Sequence, residues 1–553
     1  MAERLILLGV DGLDAALLAP LLRAGLMPHL AGLMARGVHG PLIPVLADCP
    51  PACWSTLMTG CWPDQHRVLT VQVADDVQGG VKPADSNSLQ APALWDFWHS
   101  AGLDSFRVGL PLNHPALGPG VCVSGAYPGE FRRGGRWSPL PDGTLHGLDA
   151  QARALLDELR VHPGDIGADL IAPLVPELAR IVVRRDRRPA LVGVALARTL
   201  SLHNAATWLL ENQPQASGLI RYPLLDELSR HFLAYHPPRP AAVAEDDHAL
   251  YRGVLSGAYR LLDMLVGRII ELAGPQAALM LISSHGFRLE PELRAGALGQ
   301  ARRPAPTIRP EGQWIMQGPG LPANPAPLVA TALDILPTCL AASGLAAPAD
   351  AVGRSLWPAV RPLRNAPQCQ FKLAHADPPK IEPEQAQVAA WLAQLADIGL
   401  PDPLAPQLGQ QRAQLDADRS WAHYRILKQR GQTDAALKCL DSLRNGPRAL
   451  LARLEQAGIL GARAHWKQAA ALLAPLLPLL QDADEDRLRQ AGLPLDLVSL
   501  AAYRHGIQAI LARGREDWAG AAGHLEMLGK LPLDIACLNP FHYTQLHLFS
   551  TSP

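Results

Sequence analysis

The sequence predicts an α/β protein with a doubly wound, mostly parallel sheet, followed by an all-α helical-repeat region. The main evidence is two uninterrupted apolar runs, in RLILLGVDGLD at 4–14 and AALMLIS at 277–283. Such runs are typical of strands buried on both faces of a parallel sheet. Helical segments alternate with strand candidates up to about residue 345, and this alternation predicts a doubly wound sheet.

The first strand delivers a carboxylate to its end, because Asp11 follows the apolar residues and Gly12 follows Asp11. In open α/β sheets, ligand-binding groups gather at the C-terminal ends of the strands. Asp11 is therefore a candidate site residue. Taken alone, it also fits the cap of a helix that begins near Leu13, since Asp is a favoured N-cap.

The remaining elements follow in chain order. Helices are predicted over Ala15–Arg23 and Pro28–Arg36, the second with proline in its first turn. A Gly- and Pro-rich stretch at 112–147 indicates long loops over the sheet edge. Further helices are predicted at 93–101, through most of 150–211 and at 247–273, and further strands at 105–110, 219–222 and 277–283.

Length, charge and cysteine content narrow the class of protein. A chain of 553 residues is too long for one compact core, so two or more domains are expected. The 50 basic and 51 acidic residues leave a net charge of −1, which provides no basic field for nucleic acid or an anionic membrane. Eight scattered cysteines without a regular framework predict reduced thiols.

We expect a cytoplasmic protein without a transmembrane helix. No uninterrupted apolar run reaches the length of about 18 residues that a membrane-spanning helix needs. The N-terminal apolar run is interrupted by Asp11 and Asp14, which argues against a secretory signal peptide.

A series of ordered motifs carries a resemblance to a known family. Beyond the first strand and residues 17–40, these motifs are WSTLMTGCWPDQH (54–66), DELRVHP (157–163), HNAATWLLEN (203–212), YHPPR (235–239), SSHGF (283–287), MQGPG (316–320) and LDILPT (333–338). With them the chain resembles the alkaline phosphatase superfamily and, within it, type I phosphodiesterases and nucleotide pyrophosphatases. The resemblance implies an alkaline phosphatase-like sheet.

The resemblance also implies two divalent metal ions around a phosphoryl group, with a Ser or Thr nucleophile between them. Two such cations stabilise the entering and the leaving oxygen. Three of the seven functional positions keep the family's residue type, and these candidate metal ligands are Asp11, Asp226 and His285. The four positions that depart from the pattern are Pro50 for the nucleophile, Arg230 and Ile308 for two histidines, and Ser284 for an aspartate.

These departures predict that the metal positions are empty or bind metal only weakly. Arg230 cannot ligate a cation, because its guanidinium stays protonated. It lies four residues after Asp226, so on a helix it is expected to pair with Asp226 as a charge replacement or to bind an anion. Ser284 is a poor substitute for a carboxylate beside Asp11 and His285. We therefore expect no cofactor; an active protein would use a divalent metal (Zn, Mn or Mg).

Several alternatives remain open at this site. A one-residue slip would place the Cys49 thiolate at the nucleophile position, and a register shift would let His231 replace a lost histidine. Cys49, Cys53 and Cys61 form a candidate metal cluster. Five arginines form a candidate anion grip, although such a run is usually a solvated face: Arg288, Arg294, Arg302, Arg303 and Arg309. Three tryptophans are candidate pocket residues, with core packing favoured: Trp137, Trp314 and Trp357.

The composition changes after residue 345. Residues 346–385 are Pro-rich, as expected of a linker or of chain wrapped over a surface. A small pattern then recurs three times: Thr433, Ala436 and Leu440; Trp466, Ala469 and Leu473; Trp518, Ala521 and Leu525. These segments resemble degenerate tetratricopeptide repeats, although a plain helical bundle has the same composition. Stacked helices of either kind commonly bind partner proteins.

The predicted organisation is thus an alkaline phosphatase-like α/β domain (1–345), a Pro-rich linker (346–385) and a helical domain (386–553). The predicted function is that of a catalytically degenerate phosphodiesterase-like protein that acts as a scaffold or anion-binding module, with a protein partner on its helical repeats. No nucleic acid or membrane partner is expected. The alternative is a metal-dependent phosphomonoester or phosphodiester hydrolase with a remodelled one-metal or Cys-based site.

Overall fold

A computed structural model describes residues 4–75, 80–132, 136–182, 185–289, 306–324, 326–357, 408–476 and 497–529. The described chain falls into two compact units. Within these ranges, the first unit contains residues 4–71 and 83–357, and the second contains residues 72–82 and 408–529.

The first unit is built on a sheet that has nine strands among the described residues. In chain order, the described strands are β1 (Leu5–Gly9), β2 (Val38–Ile43), β3 (Gln72–Ala74), β4 (Val81–Pro83), β5 (Ser105–Val108), β6 (Val121–Val123), β7 (Phe131–Arg132), β8 (Arg136–Trp137), β9 (Leu145–His146), β10 (Ser217–Arg221), β11 (Ala278–Ser283), β12 (Gly286–Leu289), β13 (Pro306–Arg309), β14 (Gly312–Gln317) and β15 (Ala330–Thr331). The sheet order is β15–β2–β14–β11–β1–β10–β5–β6–β9.

Most neighbouring strands of this sheet run parallel. β1 is central and pairs in parallel with β10 on one side and β11 on the other. β14 is antiparallel to both of its neighbours, and β9 is antiparallel to β6. Every residue of β1 and β11 is buried, which explains why their sequences are apolar without alternation. The predicted mostly parallel sheet is confirmed.

Helices flank the sheet. The described helices are α1 (Ala15–Arg23), α2 (Pro28–Arg36), α3 (Pro50–Thr59), α4 (Pro63–His66), α5 (Leu94–Ser100), α6 (Ala150–Glu158), α7 (Ala168–Ile171), α8 (Arg188–Asn212), α9 (Leu224–Phe232), α10 (Glu245–Tyr251), α11 (Val254–Ala273) and α12 (Ala332–Ala342). Among the described residues, no single helix has both the length and the apolar character to cross a membrane, although α1 and α2 meet that test together as a bent pair.

Two expectations from the sequence are wrong. The helix predicted over 247–273 is two helices, α10 and α11, which are separated at Gly253. Glycine is a poor helix former, and a Cβ at Gly253 would lie only 3.3 Å from Pro176 Cδ. The cap of α1 is Asp14, whose Oδ1 accepts a hydrogen bond from Ala16 N at 2.8 Å. Asp11 therefore has another role.

Residues 346–357, the first part of the predicted linker, pack on α12. Arg354 N donates to Asp334 Oδ1 at 2.8 Å, and Leu356 N donates to Thr338 Oγ1 at 2.9 Å. This part is therefore chain wrapped over a surface, and residues 358–385 lie outside the described ranges. The three tryptophans considered as pocket residues are at most 5% exposed and pack in the interior: Trp137, Trp314 and Trp357.

The second unit contains three helical pairs in its described part. These helices are α13 (Leu408–Gln429), α14 (Thr433–Ser442), α15 (Ala449–Ala462), α16 (Trp466–Leu473), α17 (Leu497–Gly514) and α18 (Trp518–Gly529). Each pair turns through a residue with positive φ that lies two positions before the second helix: Gly431, Ala464 and Glu516. The alanines of the sequence pattern are buried in the second helices: Ala436, Ala469 and Ala521. That these pairs are tetratricopeptide repeats remains a prediction.

Candidate functional site

The C-terminal ends of three adjacent strands bring the candidate site residues together. β11, β1 and β10 are neighbours in the sheet and run parallel. Asp11 follows β1, and Ser284 and His285 follow β11. Asp226 lies in the first turn of α9, the helix after β10. The three candidate metal ligands therefore lie at one edge of the sheet.

A continuous hydrogen-bond network joins these residues. His285 Nε2 lies 2.9 Å from Asp226 Oδ1, and His285 Nδ1 lies 3.0 Å from Ser284 Oγ. Ser284 Oγ donates to Asp11 Oδ1 at 2.6 Å. A hydroxyl carries one proton, so a Ser284 that donates to Asp11 can only accept from His285. The network thus links Asp11 and Asp226, which stand at the two metal positions that the resemblance implies.

Glycine at position 12 allows the two carboxylate-bearing segments to approach each other. Gly12 has a φ of +88°, and a Cβ there would lie 2.7 Å from the backbone nitrogen of Asp226. Any larger residue would push the first turn of α9 away from the end of β1. The close approach thus fixes the separation of Asp11 and Asp226.

Asp11 is fully buried, and each of its carboxylate oxygens accepts two hydrogen bonds. Its Oδ2 accepts from Trp54 Nε1 and from Arg221 Nε, each at 2.8 Å. Its Oδ1 accepts from the backbone nitrogen of Ser284 at 3.1 Å, in addition to the hydroxyl. Burial opposes ionisation of this carboxyl, but the charges of Arg221 and His285 and the Ser284 hydrogen bond outweigh it and lower the pKa of Asp11.

Asp226 is paired with Arg230 one helical turn later. Arg230 donates through Nε to Oδ2 at 3.1 Å and through Nη2 to Oδ1 at 2.9 Å, which is a bidentate arrangement. Burial would raise the pKa of Asp226, but the hydrogen bond and charge of His285 and the charge of Arg230 lower it well below its usual range. The Arg230 guanidinium also lies over the Phe287 ring, with Cζ 5.2 Å from the centroid.

Sequence reasoning missed Arg221 and Trp54. Arg221 ends β10, so its position directly after a buried strand was a signal for the same sheet edge. Trp54 lies one helical turn after Pro50 on α3, which places it on the same helix face as the family's nucleophile position. Neither residue is of a type that the family uses as a metal ligand or nucleophile, so the family pattern does not point to them.

The nucleophile position has no side-chain nucleophile. Pro50 is the first residue of α3, and Cys49 immediately precedes the helix and is buried. Burial, reinforced by the negative charge of Asp11, raises the pKa of the Cys53 thiol well above its usual value. The candidate cluster of Cys49, Cys53 and Cys61 does not form, since no group of three or more His, Cys, Asp or Glu in the described chain is placed to hold a metal ion.

The residues present do not fit the two-metal centre that the resemblance implies. Oδ2 of Asp11 accepts hydrogen bonds from Arg221 and Trp54, and both oxygens of Asp226 accept hydrogen bonds from Arg230. A cation bound to either carboxylate would have to displace a guanidinium and remain close to its positive charge, which Coulomb repulsion opposes.

The other candidates lie elsewhere. His231 is exposed on α9, and it is Arg230 that contacts Asp226. Ile308 pairs with Phe287 in the β12–β13 hairpin and packs partly buried against the core. Arg309 Nε lies 3.1 Å from Asp14 Oδ2 in an ion pair. Three of the five arginines proposed as an anion grip fall outside the described residues: Arg294, Arg302 and Arg303.

A buried histidine, His66, lies at the end of α4 and contacts α3. His66 Nδ1 accepts from Val68 N at 3.3 Å, and His66 Nε2 lies 3.0 Å from Thr56 Oγ1. Because Nδ1 accepts, the ring proton is on Nε2 and is donated to Thr56. Burial lowers the pKa of His66 to about 3, so the folded protein holds this ring neutral.

We expect mild acid to destabilise the protein through His66. The unfolded chain protonates this residue near pH 6.5 and the folded chain only near pH 3, so its stability contribution is complete above pH 6.5 and is lost as the pH falls toward 3. Between pH 7.5 and 5, the free energy of unfolding should fall by roughly 2 kcal/mol through this group. Urea denaturation of wild type and His66→Gln measures the difference; an equal fall in the variant would contradict the prediction.

Comparisons with known proteins agree with this architecture. A sequence model of the family described as type I phosphodiesterase/nucleotide pyrophosphatase matches residues 5–326. A search of curated proteins gave no significant match.

Three solved structures show similarity over much of this chain. A 2-O GAG sulfatase is 13% identical, with a TM-score of 0.41, over 65% of this chain and 74% of its own. Phosphonoacetate hydrolase from Sinorhizobium meliloti 1021 is 17% identical, with a TM-score of 0.32, over 53% and 58%. Human ectonucleotide pyrophosphatase/phosphodiesterase 5 is 13% identical, with a TM-score of 0.36, over 62% and 96%. Because the family match itself spans more than half of the chain, the protein belongs to the type I phosphodiesterase/nucleotide pyrophosphatase family of the alkaline phosphatase superfamily.

Proposed function

We propose that the α/β domain is a catalytically silent member of its family and serves as a folded platform for a helical region that recruits a protein partner. One observation carries this proposal: each remaining carboxylate of the site is paired with an arginine of the same chain, Asp11 with Arg221 and Asp226 with Arg230. The two guanidinium groups supply the positive charge that two metal ions supply in the family's chemistry.

The electrostatics of the site support this assignment. The family's reaction depends on cations that stabilise the entering and leaving oxygens. Here the positive charge is carried by guanidinium groups that accept no lone pairs, so they cannot activate a hydroxyl or a water as a metal does. Pro50 also provides no group that can attack phosphorus. The charges of the site's carboxylates and guanidinium groups balance, but the site has neither a nucleophile at position 50 nor a carboxylate that is free to bind a metal ion.

The alternative is a phosphomonoester or phosphodiester hydrolase with a remodelled site. The observation that favours it is the line from Asp11 through Ser284 to His285, which keeps a carboxylate and an imidazole close together. In this reading Asp11 and His285 would hold one divalent metal (Zn, Mn or Mg), or the Cys49 thiol would act as nucleophile.

We expect the purified full-length protein not to retain Zn, Mn or Mg in stoichiometric amounts and not to hydrolyse bis(p-nitrophenyl) phosphate when these metals are added. Elemental analysis after dialysis and a colorimetric assay measure both quantities. Asp226→Ala is the control, and its background should equal that of wild type. About two metals per chain with turnover that Asp226→Ala abolishes would overturn the proposal. Turnover that Cys49→Ser abolishes would instead establish the cysteine-based alternative.

The helical region has the second role in this proposal, which is to bind the protein partner. Stacked helical pairs bury one face against each other and leave another for a partner, and this is a common arrangement for binding proteins. The nearly neutral charge of the chain offers no general attraction for nucleic acid or an anionic membrane. We therefore assign the recruitment of a protein, in the cytoplasm, to this region.

A further inference from the structure

The second unit contains a cleft of about 500 Å³ between two of its helical turns. One wall is the turn from Ala464 to Gln468 before and within α16. The other wall is formed by Arg513, Glu516 and Trp518, at the turn between α17 and α18. This volume lies within the range of ligand-binding pockets.

Arg513 lies between two tryptophans in this cleft. Its Cζ is 3.2 Å from the ring centroid of Trp518 and 5.1 Å from that of Trp466. The residue is only 7% exposed, and its Nε is buried without a hydrogen-bond partner among the described residues. Burial lowers the pKa of Arg513. The ring faces stabilise the cation in part, but they do not replace a hydrogen-bond partner for Nε.

Each of the four buried arginines of the described chain, Arg4, Arg107, Arg160 and Arg513, has one buried guanidinium nitrogen without a hydrogen-bond partner there. Arg4, Arg107 and Arg160 also donate through other nitrogens to backbone carbonyls. For Arg513 the described residues supply neither a carbonyl nor a carboxylate. A ligand that brings an acceptor to the terminal nitrogens of Arg513 therefore adds hydrogen bonds from a charged donor, which are stronger than those between neutral groups.

The charges around the cleft indicate which chemical group of a ligand would accept hydrogen bonds from Arg513. Arg513 and Lys467 are positive and Glu516 is negative, which leaves one excess positive charge. A single carboxylate neutralises that excess charge, whereas a phosphate with nearly two negative charges would leave the cleft with a net negative charge. Trp518 is 42% exposed and adds an apolar wall beside the charged groups. Exposed tryptophan next to arginine is characteristic of protein-binding hot spots.

We infer that this cleft binds a carboxylate of a partner polypeptide that is flanked by an apolar side chain. The carboxylate accepts hydrogen bonds from Arg513 and is attracted by Lys467, and the apolar side chain packs on Trp518. The inference rests on the proposed role of the helical region in recruiting a protein. The carboxylate comes from an acidic side chain or from a C-terminus, and both sources have the same chemistry.

Three peptides test the inference on the full-length protein by isothermal titration calorimetry and tryptophan fluorescence. Ac-Leu-Glu-Leu-NH2 carries a side-chain carboxylate, Ac-Leu-Gln-Leu-OH carries a terminal carboxylate, and Ac-Leu-Gln-Leu-NH2 carries neither. At least one of the first two should bind saturably, with a Kd about tenfold or more below that of the neutral peptide, because a hydrogen bond to a charged group is lost in the neutral one. The peptide that binds identifies the source.

Substitutions at exposed positions locate the binding. Trp518→Ala and Lys467→Gln should each raise the Kd about fivefold or more, while Arg515→Gln, a matched loss of charge in the same turn but outside the cleft, should leave it within about twofold. Equal binding of the neutral peptide, no saturable binding, indifference to Trp518→Ala, or binding of AMP in place of the peptides would each overturn the inference. None of these outcomes bears on the metal and hydrolysis tests of the α/β domain, which alone decide whether that domain is silent.

Discussion

Arg221→Met is expected to lower the free energy of unfolding by about 3–5 kcal/mol, a larger cost than that of any other single substitution considered for stability. The reason is that Asp11 is fully buried and ionised, and Arg221 is its charged partner at 2.8 Å. Removing the guanidinium leaves the Asp11 charge in the interior without a directly bonded counter-charge, since Trp54 and Ser284 are neutral donors. A buried charge without its counter-charge is among the most costly defects in a protein.

A double-mutant cycle separates this charge effect from lost packing. In an Asp11→Asn background the buried charge is absent, so Arg221→Met should cost no more than about 1–2 kcal/mol. Arg180→Ala is the control for an exposed ion pair, since Arg180 and Glu177 are both about half exposed, and it should cost less than about 1 kcal/mol. Urea denaturation at pH 7 measures all four variants. An equal cost of Arg221→Met with and without the Asp11 charge would show that the ion pair is unimportant.

The sequence predicts local pairs better than distant ones. Arg230 was assigned to Asp226 because four residues on a helix form one turn, and the structure places the two together. Arg221 and Asp11 are 210 positions apart. Their contact depends on β10 being the direct neighbour of β1, a fact of sheet order that no local pattern contains. The same is true of Trp54, which lies on α3 and donates to Asp11 from 43 positions further along the chain.

The same difference between local patterns and distant contacts explains which strands and helices the sequence predicts. β1 and β11 were predictable because a strand buried on both faces has an unbroken apolar sequence. The last two strands at one end of the sheet, β6 and β9, lie within the stretch predicted as loops and have three and two residues. Segments of two or three residues are too short to show the alternation of apolar and polar residues that predicts a strand. The break between α10 and α11 depends on the close approach of Pro176 to Gly253, which is again a contact between distant parts of the chain.

If guanidinium groups have replaced the metal ions, removing them and restoring ligands should return metal binding. The triple variant Arg221→Ala/Arg230→His/Ser284→Asp removes the guanidinium from Asp11 Oδ2, which Trp54 Nε1 still contacts, supplies an imidazole beside Asp226 and adds a carboxylate beside Asp11. Without metal, the loss of Arg221 and the repulsion between the added carboxylate and Asp11 both destabilise the fold. With Zn present at a hundredfold excess over its Kd, binding should stabilise the fold by about 2.7 kcal/mol and raise the Tm, whereas wild type should show no rise.

Two further variants decide whether the arginines block the metal. Arg230→His/Ser284→Asp retains Arg221, which should continue to occupy Asp11, so calorimetry should show weaker Zn binding than in the triple variant. Adding Asp226→Ala to the triple variant should reduce the Zn-dependent rise in Tm without abolishing it, because one remaining ligand cannot hold a cation at the α9 end of the site, while the position beside Asp11 and His285 keeps its ligands. A rise in wild type as large as in the triple variant would mean that the guanidinium groups yield to metal, and the site would then be a metal centre that arginines occupy only in its absence.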